Sequence, residues 1–130
     1  MDPSLILPNQ HIKTIFHVSD VHIHNQGRYQ EYQQVFKTLV KQIQSHPRYH
    51  PETSIIINTG DTLDRCGKMS AEAIDLTHQL RTQLSNLAYN FWIPGNHDVK
   101  RDNDQQTELD SLSAILAEHR DQHNFVYHTE

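Results

Sequence analysis

The sequence predicts an α/β fold with a largely parallel sheet, and two observations carry this prediction. Short apolar segments alternate with longer segments of helical periodicity, in the order strand, helix, strand, helix, strand, helix, strand. Residues 54–58 also contain three consecutive isoleucines, which is typical of a parallel strand that is buried on both faces. With 130 residues, the chain has room for one domain around one modest core.

The first half of the chain predicts two strands with a helix between them. Residues 12–18 are rich in β-formers and lead into Ser19 and Asp20, so we predict a strand that ends in a loop. Residues 29–43 place apolar side chains at helical spacing on one face. The isoleucine segment then forms the second strand, which ends before Thr59, Gly60 and Asp61.

The second half predicts two more helices and two more strands. Residues 70–87 are predicted to be a helix with Ser70 as its N-cap, and residues 89–93 a strand that Pro94 and Gly95 end. Residues 100–106 are polar and predict a loop. A threonine followed three residues later by an acid, at residues 107–110, predicts a helix start. Its apolar stripe would consist of Leu109, Leu112, Ile115 and Leu116, and residues 125–127 would form a fourth strand.

Composition limits the classes of protein to which the chain can belong. The longest apolar run is too short to cross a bilayer, and the first residues lack the basic and apolar regions of a signal peptide. A single cysteine, Cys66, excludes an internal disulfide framework. We therefore expect an intracellular protein, cytoplasmic or nuclear, with no membrane partner. The net charge of −5 does not favour nucleic-acid binding, but bound metal ions would offset acidic side chains.

Each of the first three predicted strands is followed by a cluster of polar residues. In open α/β sheets, ligands bind beyond the carboxyl ends of the strands, so we expect these clusters to converge on one site. They are Asp20-Val21-His22, Gly60-Asp61-Thr62-Leu63-Asp64 and Gly95-Asn96-His97-Asp98.

The residue types in these clusters predict a metal site. In an extended segment residues i and i+2 point the same way, so Asp20 and His22 can bind one ion while Val21 faces the core. Asp61 has two carboxylate oxygens and can bridge two cations, whereas Asn96 offers a neutral carbonyl oxygen. Two metals about 3.5–4 Å apart can hold a phosphoryl group and activate water for in-line attack. A nearby histidine can then protonate the leaving oxygen, and His97 is the candidate for this role.

Taken in order, the three clusters resemble the signature of the calcineurin-like metallophosphoesterases, which is D-x-H, then G-D-x-x-D, then G-N-H-[DE]. The resemblance implies that Asp20 and His22 hold the first of two divalent metal ions, that Asp61 bridges both and that Asn96 holds the second. It implies a catalytic role for His97 and supporting roles for Asp64 and Asp98. It also implies that the chain forms half of a four-layer αββα sandwich. Manganese is the expected metal, with iron, zinc or magnesium as alternatives.

Two branches of the family are similar to this sequence. Asp98, together with residues 16–22, resembles the DNA-repair exonuclease branch that includes SbcD, which implies a DNA substrate and an ATPase partner subunit. By contrast, Asp64-Arg65 resembles the G-D-x-x-D-R motif of Ser/Thr protein phosphatases, which implies a phosphomonoesterase. Those phosphatases usually continue with glycine and have glutamate after the histidine, where this chain has Cys66 and Asp98. We favour the nuclease-like branch.

The family domain normally adds a G-H pair and a later G-H-x-H motif, and the chain contains neither. We therefore expect residues 1–130 to be the N-terminal part of a phosphoesterase domain. The alternative function is that of a non-catalytic or truncated fragment that keeps the fold without a complete metal site.

Overall fold

A parallel four-stranded sheet forms the centre of the molecule. The computed structural model describes residues 11–23, 27–62, 70–95, 99–102, 107–110 and 125–127, with the backbone alone for 99–102, 107–110 and 126. The elements are β1 (Thr14–Val18), α1 (Tyr29–Gln44), β2 (Ser54–Asn58), α2 (Ala71–Ser85), β3 (Tyr89–Trp92), β4 (Val99–Asp102), β5 (Thr107–Asp110) and β6 (Phe125–Tyr127). Strands β1, β2, β3 and β6 lie side by side in that order, all parallel. The predicted α/β fold with a parallel sheet is confirmed.

Helices α1 and α2 pack on one face of this sheet. Their buried side chains, among them Phe36 and Leu80, form one apolar cluster with Ile56, Trp92 and Phe125 of the strands. Aromatic contacts add to the stability of the cluster, since the rings of Trp92 and Phe125 pack edge to face with 5.4 Å between their centroids. The opposite face carries Ile15, which is 58% exposed, because neighbouring side chains of a strand point to opposite sides.

Helix α2 begins where the sequence predicts. The Ser70 hydroxyl accepts a hydrogen bond from the Ala73 backbone N–H at 3.1 Å, which satisfies one of the donors left free in the first turn. The helix then buries Leu76, Leu80 and Leu84 against the sheet. The predicted helix and its Ser70 cap are both confirmed.

The prediction of a helix start at residues 107–110 and of a loop from residue 100 is wrong. Residues Val99–Asp102 and Thr107–Asp110 are instead strands β4 and β5, which pair antiparallel as a separate two-stranded sheet. The pairing satisfies backbone groups that the local threonine-acid pattern would have placed in a helix, so tertiary context overrides the local preference. The remaining stripe residues Leu112, Ile115 and Leu116 lie outside the described residues.

Within the described part of the chain, no helix has both the length and the apolar character needed to cross a membrane.

Candidate metal centre

The loops after β1 and β2 remain paired beyond the ends of their strands. Carbonyl oxygens of the second loop accept hydrogen bonds from backbone N–H groups of the first at 2.8–3.0 Å, so the two loops stay joined past the end of the parallel ladder. These bonds are Asp20 N–H to Gly60 O, His22 N–H to Asp61 O and Ile23 N–H to Thr62 O. These backbone hydrogen bonds therefore hold the first cluster against Gly60, Asp61 and Thr62 of the second.

This pairing brings Asp20, His22 and Asp61 together. One carboxylate oxygen from each aspartate and one imidazole nitrogen lie within 4.8 Å of one another. Such a spacing allows all three atoms to reach a single cation, and the mix of carboxylate oxygen and histidine nitrogen suits Mn, Fe, Zn or Mg. Two carboxylates this close repel each other, and a bound cation would relieve the repulsion.

The backbone conformation at this cluster differs from the extended one that the sequence suggested. Asp20, His22 and Asp61 have φ angles of 58°, 50° and 53°, in the left-handed region. Among the described residues, Arg28 is the other non-glycine residue with positive φ, so this conformation is concentrated at the candidate site. It costs on the order of 1–2 kcal/mol for each residue, and aspartate and histidine tolerate it better than most. The expected convergence of Asp20 and His22 is thus reached by another backbone path, and Val21 still packs against the core.

Asp20 lies at the solvent-exposed side of the cluster, with 63% of its side chain exposed, against 34% for His22. The Ser19 hydroxyl donates a hydrogen bond of 2.7 Å to its Oδ2. That bond lowers the pKa of Asp20 below its usual value, and His22, with Nε2 3.5 Å from Oδ1, adds to the shift. The carboxylate is therefore ionised, and able to bind a metal, throughout the neutral range.

Tyr32 of α1 ties the first cluster to the helical layer. Its hydroxyl donates a hydrogen bond of 2.6 Å to the carbonyl oxygen of His22. Tyr32 lies in the segment 29–43 that was predicted to be a helix, but helical periodicity gives no information about the partner of a phenolic hydroxyl. Its ring also packs beside Phe36, with 6.2 Å between the ring centroids.

Asn58, at the end of β2, is a second residue whose contact with the site the sequence did not reveal. It is fully buried, and its side chain bonds to the backbone and side chain of the following loop. The only sequence signal was a polar residue at the end of an apolar strand.

The third cluster approaches the second through two glycines. A Cβ atom on Gly60 would lie 2.1 Å from the Gly95 nitrogen, and one on Gly95 would lie 2.2 Å from Asp61 Oδ1. Side chains at either position would prevent this approach, so the two loops can meet only because both residues are glycines. Gly95 immediately precedes Asn96 in the chain, so the third motif begins in contact with Asp61. Asn96, His97, Asp98 and Asp64 themselves lie outside the described residues.

Comparison with known proteins agrees with this geometry. Residues 13–128 match the family described as calcineurin-like phosphoesterase. The chain is also similar to the uncharacterized protein R555 of Acanthamoeba polyphaga mimivirus, with 39% identity over 105 residues. That match covers 81% of this chain and 8% of the viral protein, so the chain spans about a twelfth of this relative.

Proposed function

Because this chain belongs to the calcineurin-like phosphoesterase family, whose members are metal-dependent hydrolases of phosphate esters, we propose that its substrate is a phosphodiester and specifically DNA. The observation that carries the proposal is the convergence of Asp20, His22 and Asp61 at the carboxyl ends of β1 and β2, where Asp20 is exposed and the other two are half-buried. Because Asp20 is open to solvent, a polymer can reach the site, whereas small-ligand sites usually enclose most of their ligand. The resemblance of residues 16–22 and of Asp98 to the nuclease branch supports the same choice.

In the proposed mechanism, Asp20, His22 and Asp61 would hold one divalent cation, and Asp61 and Asn96 would hold a second. Divalent ions bound in such a site would supply positive charge to the phosphoryl oxygens and activate water for in-line attack. The two carboxylates contribute two negative charges, so two bound divalent ions would leave a net positive charge facing the phosphate. Manganese is the proposed metal, because the oxygen and nitrogen donors fit its preferences.

His97 is the proposed general acid. It follows Asn96 in the motif that starts at Gly95, beside Asp61. A histidine is protonated in part near neutral pH and can transfer a proton to the leaving oxygen of the ester. Loss of such a group typically slows hydrolysis by about 10²–10⁴-fold.

Hydrolysis assays on three substrates test the proposal. We expect Mn²⁺-dependent cleavage of bis-p-nitrophenyl phosphate and of linear duplex DNA ends, slow for residues 1–130 because they lack the G-H and G-H-x-H motifs, and still less cleavage of p-nitrophenyl phosphate. His97→Ala should lose activity while retaining the Mn²⁺ affinity of the wild type. Preference for the monoester would instead favour the phosphatase branch, to which Asp64-Arg65 is similar. Binding of Mn²⁺ without hydrolysis of any substrate would favour the non-catalytic alternative.

A further inference from the structure

A buried asparagine stands at the junction of the strands and the candidate metal centre. Asn58 ends the apolar strand β2 and is 0% exposed, as is Thr62 four residues later. Burying an amide is costly unless it is hydrogen-bonded, so its contacts need an explanation. Both ends of the amide have partners in the loop: Gly60 N–H donates to Asn58 Oδ1 at 3.0 Å, and Asn58 Nδ2 donates to Thr62 Oγ1 at 3.0 Å.

The two residues to which Asn58 bonds, Gly60 and Thr62, directly precede and follow Asp61 in the chain. The bond from Gly60 N–H to the side chain two residues earlier is an Asx-turn contact, which bends the chain out of the strand. The bond to Thr62 fixes the residue after Asp61. Asn58 therefore fixes the backbone immediately before and after a residue that adopts a left-handed conformation.

The same loop also carries the partners of the first cluster. The carbonyl oxygens of Gly60, Asp61 and Thr62 accept the backbone N–H groups of Asp20, His22 and Ile23. A shift in the loop would thus move both clusters. The main-chain oxygen of Asn58 in addition accepts a hydrogen bond of 2.9 Å from Ile93 N–H, beyond the end of β3.

We propose that Asn58 is a positioning residue for the metal centre, whose side-chain amide holds residues 59–62 in the shape that places Asp61 beside Asp20 and His22. This inference rests on the proposed function, since it assigns Asn58 to the same site. Residues that orient metal ligands without touching the metal typically contribute about 10–100-fold to metal affinity.

A second buried asparagine provides a matched control. Asn90 of β3 is also 0% exposed, and its side chain also makes two hydrogen bonds of 3.0 Å. Its partners are Ala88, which directly precedes β3, and Trp92, which lies in β3, so neither belongs to the loops of the site. Replacing either asparagine by leucine removes two buried hydrogen bonds at similar volume, but only Asn58 contacts the metal centre's loops.

The experiment measures Mn²⁺ affinity of the 130-residue chain by isothermal titration calorimetry for wild type, Asn58→Leu and Asn90→Leu. We expect both variants to have lower melting temperatures. The Mn²⁺ dissociation constant should rise by about tenfold or more in Asn58→Leu and by less than about twofold in Asn90→Leu. Equal affinities in the two variants would overturn the proposal.

A second measurement needs no metal. Amide hydrogen exchange, followed by NMR in the presence of a chelator, should show faster exchange at Asp20, His22 and Ile23 in Asn58→Leu than in Asn90→Leu. Unchanged protection at these amides would overturn the positioning role. If the wild type binds no Mn²⁺, the proposed function fails, and this exchange measurement alone decides the role of Asn58.

A milder pair of variants covers the case in which Asn58→Leu does not fold. Thr62→Val removes the hydroxyl that accepts from Asn58 at nearly constant shape, and Thr62→Ser keeps it. Weaker Mn²⁺ binding or faster exchange at the same amides in Thr62→Val, restored in Thr62→Ser, would support the proposal. Identical behaviour of the two variants would overturn it.

Discussion

The contact between Gly60 and Gly95 permits a sharp test of how the site is assembled. A methyl group added at Gly60 would place its carbon 2.1 Å from the Gly95 nitrogen and 2.5 Å from the Gly95 Cα, both of them backbone atoms. Gly60 also has a φ of +111°, a conformation that residues with a Cβ rarely adopt. Gly60→Ala therefore combines a backbone strain with a steric overlap.

The backbone strain and the steric overlap each lower the free energy of unfolding by an amount that can be estimated. A non-glycine residue in such a region of φ costs on the order of 1–3 kcal/mol. Overpacking against a backbone that cannot easily move adds about 1–3 kcal/mol. The free energy of unfolding of Gly60→Ala should therefore fall by roughly 2–6 kcal/mol, a large part of the 5–15 kcal/mol that is typical of a domain.

Gly27→Ala is the matched control. Gly27 also has positive φ, at +72°, but a Cβ atom there would meet nothing within 4 Å. Both substitutions restrict the unfolded chain equally, so their difference isolates the overlap, about 1–3 kcal/mol. With an m-value of about 1–3 kcal/mol/M, urea unfolding should show a midpoint roughly 1 M lower for Gly60→Ala than for Gly27→Ala.

Metal binding provides the second readout of the same pair. If the two glycines bring the third motif to Asp61, Gly60→Ala should also weaken Mn²⁺ binding, whereas Gly27→Ala should not. Equal urea midpoints for the two variants would refute the argument that close approach of Gly60 to Gly95 shapes the site.

Substitutions at four further residues each test a single hydrogen bond. Ser19→Ala should raise the pKa of Asp20 in a ¹³C-carboxyl NMR titration. Since the pKa of Asp20 is lower in the folded state than in the unfolded state, the bond from Ser19 stabilises the fold at pH values above the usual pKa of 3.8. Its contribution to the free energy of unfolding disappears as the pH falls through the folded-state pKa. Ser70→Ala should reduce the free energy of unfolding by about 1 kcal/mol in a thermal melt, and Ser70→Asp should restore it. Tyr32→Phe and Tyr49→Phe each remove a 2.6 Å bond to a carbonyl and should cost about 0.5–1.5 kcal/mol, but only Tyr32→Phe should weaken Mn²⁺ binding. A normal Mn²⁺ affinity in Tyr32→Phe would contradict the role assigned to its hydroxyl.

Elements that depend on burial alone were predictable from the sequence. A short run of three β-branched isoleucines favours a strand that is covered on both faces, and the resulting strand has the predicted bounds, Ser54–Asn58. Helix α2 was predictable because its leucine spacing and its serine cap agree. The grouping of Asp20, His22 and Asp61 at one sheet edge followed from parallel topology, since parallel strands bring their carboxyl ends together.

Elements that depend on pairing between segments were not predictable in the same way. The segment of β5 carries an alternative helical pattern, but its backbone pairs with β4, and this pairing outweighs the local preference. Likewise, the left-handed backbone of Asp20 and His22 follows from hydrogen bonds to residues about 40 positions away. No periodicity in the sequence encodes such bonds.

The left-handed residues also explain why the site needs so many supporting contacts. Three strained residues would cost on the order of 3–6 kcal/mol if each is taken at 1–2 kcal/mol, so they persist only where neighbouring groups fix them. Here the backbone hydrogen bonds between the two loops, the Asn58 side chain and the Gly60–Gly95 contact provide that support. The two carboxylates and the imidazole are thus brought together by the fold itself, so a cation would not have to order the loops in order to bind. A bound cation would relieve the repulsion between Asp20 and Asp61, and its affinity should therefore depend on the rigidity of these loops as much as on the ligands.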